Sequence, residues 1–351
     1  MRAVRGRGGA GTESKSRIPA LGVQEAVTPV NAFDHKTIDL AKARGFLRDH
    51  LGSEPAAVEA VGEGAWSRCF GFRRHDAELV IRFGRYIDDF QVDALAHAHA
   101  GPDLPIPEVR EIGEALGGYY AISTRVRGVP LESLDATVWR AVVPSLAAAM
   151  EAMRLADLSG TTGYGGWGAD VNAPFASWSD HLLAVAEDSP ELRTHGWRDR
   201  LAATPEHRET FNWGLGLLEV VASDEVPRTL LHCDLINRNV LTAGGKLSGV
   251  FDWGCSRYGD HLYDLAWFDF WAPWHPDLDM QLLRTELESR WQAVGYAPAQ
   301  QEARLLACYL HIGIDHLAYN AYLGDATNLS AAARRMRDLV DKMGSASVPR
   351  P

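Results

Sequence analysis

The hydrophobic pattern changes period partway along the chain, and this change limits the possible folds more than any other feature. Alternating apolar runs at 57–61, 67–72, 78–83, 108–112 and 119–125 read as short strands. One helical stretch, 88–100, lies among them, and Pro105 and Pro107 break the chain before the fourth run. A helical stripe of Ile38, Leu40, Ala41, Phe46 and Leu47 precedes the strands and stops before Gly52. Beyond 128–130 the pattern turns helical, at 139–155, 178–187, 209–221 and in three further helices between 278 and 343. The helical part is interrupted at 229–253, where two β-runs flank the turn signal Ala243, Gly244, Gly245. The expectation is an α+β fold of two lobes: a small β-rich N-lobe over 34–127 and a larger helical C-lobe over 128–343 with one embedded hairpin.

A chain of 351 residues is long enough for two such lobes. Residues 1–33 and 344–351, rich in Gly, Arg, Ser and Pro and without periodicity, read as disordered tails. The formal charge of −11 argues against nucleic acid as partner and suits a polycationic ligand, although many acidic proteins carry such charge for solubility alone. No apolar run approaches the ~18 residues of a membrane span. Arg2, Arg5 and Arg7 lead into glycines and not into a signal-peptide core, so a cytoplasmic location is expected. Cys69, Cys233, Cys255 and Cys308 form no CxxC pair or zinc spacing and read as free thiols. A monomer is expected.

The chemistry concentrates at 230–241, LLHCDLINRNVL, which holds His232, Asp234 and Asn239 in an H-x-D-x-x-x-x-N spacing. Thirteen residues after Asn239, past the turn, comes Asp252 in GVFDW. Phosphoryl transfer needs a carboxylate to orient the attacking hydroxyl and accept its proton, and oxygen ligands for Mg²⁺ on the nucleotide phosphates. Asp234 suits the first task, Asn239 and Asp252 the second. Taken singly, Asp234 could be a turn residue and Asp252 a strand-end cap; their joint spacing favours chemistry. His232 reads as scaffolding for the loop.

The block HCDLINRNVL followed by GVFDWGCSRYGDHLYDLAWF resembles the aminoglycoside-phosphotransferase family, where it takes the form HGDxxxxN…IDWxxxxxGDPxxDLA. Further stretches, DLPIPEVREIGE (103–114), ADLSGTTGYGGWG (156–168), FWAPW (270–274) and HIGIDHLAYN (311–320), resemble the branch of that family that acts on hygromycin B. The resemblance implies a two-lobed protein-kinase-like fold from about 37 to 340. It further implies ATP (or GTP) and Mg²⁺ as cofactors, Asp234 as catalytic base, Asn239 and Asp252 as metal ligands, and a cationic antibiotic as acceptor. Cys233 stands where the family usually has Gly, Phe251 for Ile and His261 for Pro. Asp260 and Asp264 read as braces for loop backbone.

On the nucleotide side, Gly62 and Gly64 in VGEGAWSRCF could let backbone close over phosphates. Kinases of this shape carry a lysine on the third strand. Here the residue is Arg82, which keeps the charge with altered geometry; the nearest acid to orient it is Asp93. By position in YYAISTRVRG, adenine should meet the Thr124 carbonyl and the Val126 amide.

From 256 to 330, ten acids stand against four arginines, with Trp267, Phe268, Phe270, Trp271, Trp274 and Trp291 among them. Carboxylates and aromatic faces suit a polyamine sugar, and Asp269, Trp271, Trp274 and Asp315 are the expected acceptor contacts. Two other functions fit the same pattern: a metabolic small-molecule kinase, and a silent kinase-like binding module supported only by the missing lysine.

Overall fold

The computed structural model describes residues 33–347. Helix α1 (Leu40–Leu51) starts on an Asp39 cap that accepts from the Lys42 amide at 2.8 Å and stops at Gly52, which takes the left-handed conformation at φ 65°. Strands β1 (Ala56–Glu63), β2 (Ser67–Arg74), β3 (Ala77–Gly84), β4 (Val109–Ala115) and β5 (Gly118–Thr124) form an antiparallel sheet in the order β1-β2-β3-β5-β4. One face of this sheet buries Phe70, Phe72, Leu79, Ile81, Phe83, Tyr120 and Ile122 against Ala43 and Leu47 of α1. Phe33, placed by composition in the N-terminal tail, packs on that small core.

Helix α2 (Ile87–Ala96) is inserted between β3 and β4, as expected, but its allegiance is divided. Val92 and Ala96, with Leu104 and Ile106 just beyond, join the core of the helical part and not that of the sheet.

The helical part holds α3 (Ala136–Arg154), α4 (Trp178–Leu183), α5 (Trp197–Ala202), α6 (Pro205–Val221), α7 (Leu262–Trp271), α8 (Met280–Ala293), α9 (Gln301–Leu323) and α10 (Ala326–Ser347). Helix α9 runs through the middle and packs against α5, α6, α7 and α10. Helix α10 extends to Ser347, four residues into the stretch read as the C-terminal tail; the rest of that stretch and residues 1–32 lie outside the described residues.

Two three-stranded sheets interrupt the helices. Strand β6 (Val129–Pro130) pairs with β9 (Val240–Ala243), which forms a hairpin with β10 (Lys246–Val250). Gly244 and Gly245 close that hairpin at φ 59° and 76°, a turn that favours glycine at both positions. Strand β8 (Thr229–Leu231), the first of the expected β-runs, pairs instead with β11 (Arg257–Gly259), which also pairs with β7 (Gly165–Gly166). The catalytic segment is therefore suspended between two sheets: it leaves β8, loops, and enters the β9–β10 hairpin.

Candidate active site

The loop from β8 to β9 holds Asp234 between two side-chain amides. Asn237 Nδ2 donates to Asp234 Oδ1 at 2.5 Å and Asn239 Nδ2 donates to Oδ2 at 2.9 Å. Asn239 also donates to the Asp234 carbonyl at 2.8 Å, so its amide nitrogen is spent and its Oδ1 is left without a hydrogen bond among the described residues. Burial pushes the Asp234 carboxyl well above the usual carboxylate range and the charge of Asp252 adds to this, while the two amides pull the other way.

The loop is strained at the same place. Cys233, Asn237 and Arg238 stand at φ 63°, 71° and 66°, and Asp252 at 65°. Asparagine tolerates this region; cysteine and arginine do so at a cost. The structure gives the reason for the family's glycine at position 233: an unbranched backbone would take φ 63° without strain.

What holds the strain is a set of buried braces. Asp264 on α7 accepts from the His232 amide at 3.0 Å and the Cys233 amide at 2.7 Å. His232 is fully buried, bonded through Nε2 to the Phe251 carbonyl at 3.1 Å, and accepts from the Asp234 amide at Nδ1 at 3.2 Å. One nitrogen donates and the other accepts, so the ring is neutral, and burial moves its pKa down to about 4. Asp260 is bound by Arg304 through Nε at 2.8 Å and Nη2, and accepts from the Leu262 amide at 3.0 Å. His232, Asp260 and Asp264 thus hold backbone in place, as the sequence implied.

Asp252 follows the hairpin. The Phe251 amide donates to the Asn239 carbonyl at 3.0 Å, which continues the Val240–Val250 register and brings Asn239 and Asp252 to the open end of one ladder. Arg82 Nη1 donates to Asp252 Oδ1 at 3.0 Å. Arg82 is also ion-paired through Nη2 to Asp93 on α2, and its guanidinium lies 4.6 Å from the Phe90 ring centre. The other oxygen of Asp93 accepts from the Trp253 amide at 2.7 Å. Asp93 is therefore the acid that orients the third-strand cation. Burial lifts its carboxyl to about 6 against the pull of Arg82.

Gly64, Trp66, Arg82, Gly84, Phe90 and Asp252 line a cleft above the sheet. Gly62 stands outside that lining, with open space where a Cβ would lie. Neither Gly62 nor Gly64 has a positive φ, so the backbone itself does not demand glycine at either. At the cleft's side, Arg193 reaches across from the α4–α5 connection: its Nη1 sits 2.9 and 3.0 Å from the two oxygens of Asp89, and its guanidinium lies 3.8 Å from the Tyr86 ring centre. Sequence reasoning missed Asp89 and Arg193, whose pairing spans about a hundred positions and leaves no local signal. Thr124 ends β5, and the Val126 amide donates to no acceptor among the described residues. Val126 packs where a Gly249 side chain would stand, 2.7 Å from the ideal Cβ position.

The expected acceptor residues separate. Asp269 is not in the cleft: it is ion-paired with Arg284 of α8 and accepts from Tyr309 of α9 at 2.6 Å, an internal tie between three helices. Its neighbours in sequence could not reveal this, because the partners lie 15 and 40 positions away. Trp271 stacks edge-on with Trp267, Trp274 and His316, and Trp274 is 41% exposed. Asp315, half-buried on α9, neighbours Arg257 and Tyr319, and Tyr319 in turn neighbours Asp234. The indole nitrogens of Trp267 and Trp271 and the Ser256 hydroxyl are buried without a partner among the described residues.

The donors present suit a hard divalent ion. Asn239 Oδ1 and the second oxygen of the half-exposed Asp252 carboxylate are free oxygens, the type Mg²⁺ takes in small number when phosphates supply the rest. Comparison with known proteins identifies the family. A model of the phosphotransferase enzyme family, APH, matches residues 73–304. Hygromycin-B 4-O-kinase of Escherichia coli is 32% identical over 298 residues, covering 83% of this chain and 82% of that protein. The structure of aminoglycoside phosphotransferase APH(4)-Ia superposes with a TM-score of 0.75 at 30% identity, covering 87% of this chain and 99% of that one. A thermostable mutant of it, in ternary complex with AMP-PNP and hygromycin B, gives 0.74 over the same shares. Aminoglycoside 2'-phosphotransferase-IIIa, 14% identical with a TM-score of 0.59, shares the fold. With its kinase-like architecture and a family match over well more than half its length, the chain belongs to the APH phosphotransferase enzyme family.

Proposed function

We propose that this protein transfers the γ-phosphoryl group of ATP to a hydroxyl of an aminocyclitol antibiotic, with hygromycin B as the first acceptor expected, and so confers resistance. The observation that carries this reading is Asp234, cradled by Asn237 and Asn239 at the open end of the β9–β10 hairpin beside Asp252. Its carboxylate orients the acceptor hydroxyl and takes its proton as the oxygen attacks phosphorus. Arg82 offsets phosphate charge, and its pairing with Asp93 fixes where that charge sits. The Thr124 carbonyl and Val126 amide are the backbone groups that would meet adenine. Asn239 and Asp252 would hold Mg²⁺, which supplies charge neutralisation on the phosphates. Asp315, Trp271 and Trp274 are the residues proposed to contact the acceptor.

The protein is read as a monomer acting in the cytoplasm on a small cationic substrate, with its −11 charge setting it against nucleic acid. Among the described residues no helix is long and apolar enough to cross a membrane. Expression in a sensitive bacterium, with growth compared on hygromycin B, kanamycin and streptomycin and phosphate transfer assayed on purified protein, tests the function. Resistance and transfer with hygromycin B are expected. Transfer to another aminoglycoside alone would overturn the substrate, and transfer to none would overturn the function in favour of a metabolic kinase.

A further inference from the structure

Arg257, on β11, is a half-buried cation that the proposed chemistry does not use. Its register partner across the ladder is Leu231, three residues before Asp234. Cys255 is exposed, and Asp234, Asp252 and Arg257 are all its electrostatic neighbours. Arg257 and Asp234 thus share Cys255 as a neighbour, and Asp315 of α9 lies within electrostatic reach of Arg257.

The guanidinium is half-buried and almost unspent. Of its N–H donors, one group is used: Nη1 donates to Tyr263 Oη at 2.8 Å, and its plane lies 5.3 Å from that ring centre. Tyr263 is itself fully buried and hydrogen-bonds through its hydroxyl to His311 Nδ1 at 2.9 Å, so the Tyr263 oxygen is fixed and fixes Arg257 in turn. Arg257 forms no ion pair among the described residues, and its Nε and Nη2, which have no partner there, are not sealed off from solvent. A partly desolvated arginine left unpaired is costly unless a ligand completes it.

We propose that Arg257 determines which acceptor the cleft takes: its open N–H groups donate to an uncharged oxygen of the aminocyclitol, a hydroxyl or an ether, and disfavour any acceptor that would place an ammonium there. With Asp315 close by, the wall then carries one place for an amine and one for an oxygen. The acceptor class is an oxygen-rich sugar with few amines, and densely aminated aminoglycosides are turned away by like charge. The inference rests on the proposed function and deepens it.

The test compares wild type with R257M and R257K across hygromycin B, kanamycin and neomycin at saturating ATP. For the best wild-type acceptor, R257M should raise KM by about tenfold or more, the scale of a lost polar contact in a specificity site. KM for ATP should stay within about twofold. The most aminated acceptor should gain in kcat/KM with R257M and not with R257K, which retains the charge. An acceptor KM and an acceptor ranking unchanged in R257M would overturn the proposal. So would a parallel rise in both KM values shared by R257K, since that marks a bracing role; if R257M does not fold, R257K and R257Q carry the same comparison. A wild type that phosphorylates no aminocyclitol fails the proposed function before any variant is made, whereas an active wild type with indifferent variants fails this inference alone.

Discussion

The two sides of the cleft differ in how their charges are settled. On the nucleotide side Arg82 lies between Asp93 and Asp252, and Arg193 holds Asp89. On the proposed acceptor side Arg257 has no carboxylate partner among the described residues. The first side is organised before ligand arrives, as a common cosubstrate allows. The second leaves Arg257 N–H groups open, and it is there that we place selectivity between acceptors. Asp234 stands between the two, its oxygens held by amides of its own loop.

The sharpest break of that arrangement is Asp234→Asn. It keeps the shape and removes the base, so kcat should fall by about 10²-fold or more with nucleotide affinity nearly unchanged. Single-turnover kinetics beside calorimetric nucleotide titration measures this, and near-normal turnover would remove Asp234 from its role. Asp93→Ala should act through stability. It strips Arg82 of its oriented partner and leaves the Trp253 amide without an acceptor, a loss of about 3–5 kcal/mol on the scale of broken buried pairs. Scanning calorimetry should find a large drop in Tm together with weaker nucleotide binding; a small drop would mean that Asp252 alone can hold the arginine.

A gentler probe is pH. The base works only when deprotonated, and burial raises its proton affinity, so activity is lost as pH falls through a value above the ordinary carboxylate range. The acid limb of kcat/KM should therefore lie above that range. Asn237→Ala, which removes one of the amides holding the charged form, should shift the limb further up. A limb in the ordinary range, or one unmoved by Asn237→Ala, would contradict the cradle. The smallest effect is expected from Cys233→Gly: relief of backbone strain and loss of a buried thiol oppose each other, leaving stability within about 1 kcal/mol of wild type. Chemical denaturation reads it directly.

Legibility in the sequence followed the range of the interactions. The five strands of the small sheet, the hairpin turn at Gly244 and Gly245, and α9 with its neighbours were visible because periodicity and turn residues are local. Helix α7 was not, because it is buried almost all round: Leu262 through Phe268, and Phe270, show no polar face for a helical period to mark. Strand β11 was missed for want of length, as three residues make no pattern. At the candidate site, the spacing of Asp234 and Asn239, with an apolar run before it and Asp252 at hairpin distance after it, predicted the juxtaposition that the loop and the ladder make. The neighbour of Arg82 was only a nearest candidate until Asp93 was seen bonded to it. Asp269 misled for the opposite reason: an acid beside tryptophans looks like a sugar contact, and only three-dimensional packing reveals Arg284 and Tyr309 behind it.

The divided allegiance of α2 has a consequence for building hybrids from relatives of this chain. A crossover placed at residue 127, between sheet and helices, would separate Val92, Ala96, Leu104 and Ile106 from the core they help to fill. It would leave the recipient with a hollow in its core and the donor with an apolar face turned to water. A cut near Gly84 keeps α2 with the helices but severs β3 from β5 and so splits the small core as well. Asp93 must then find its arginine across the new seam.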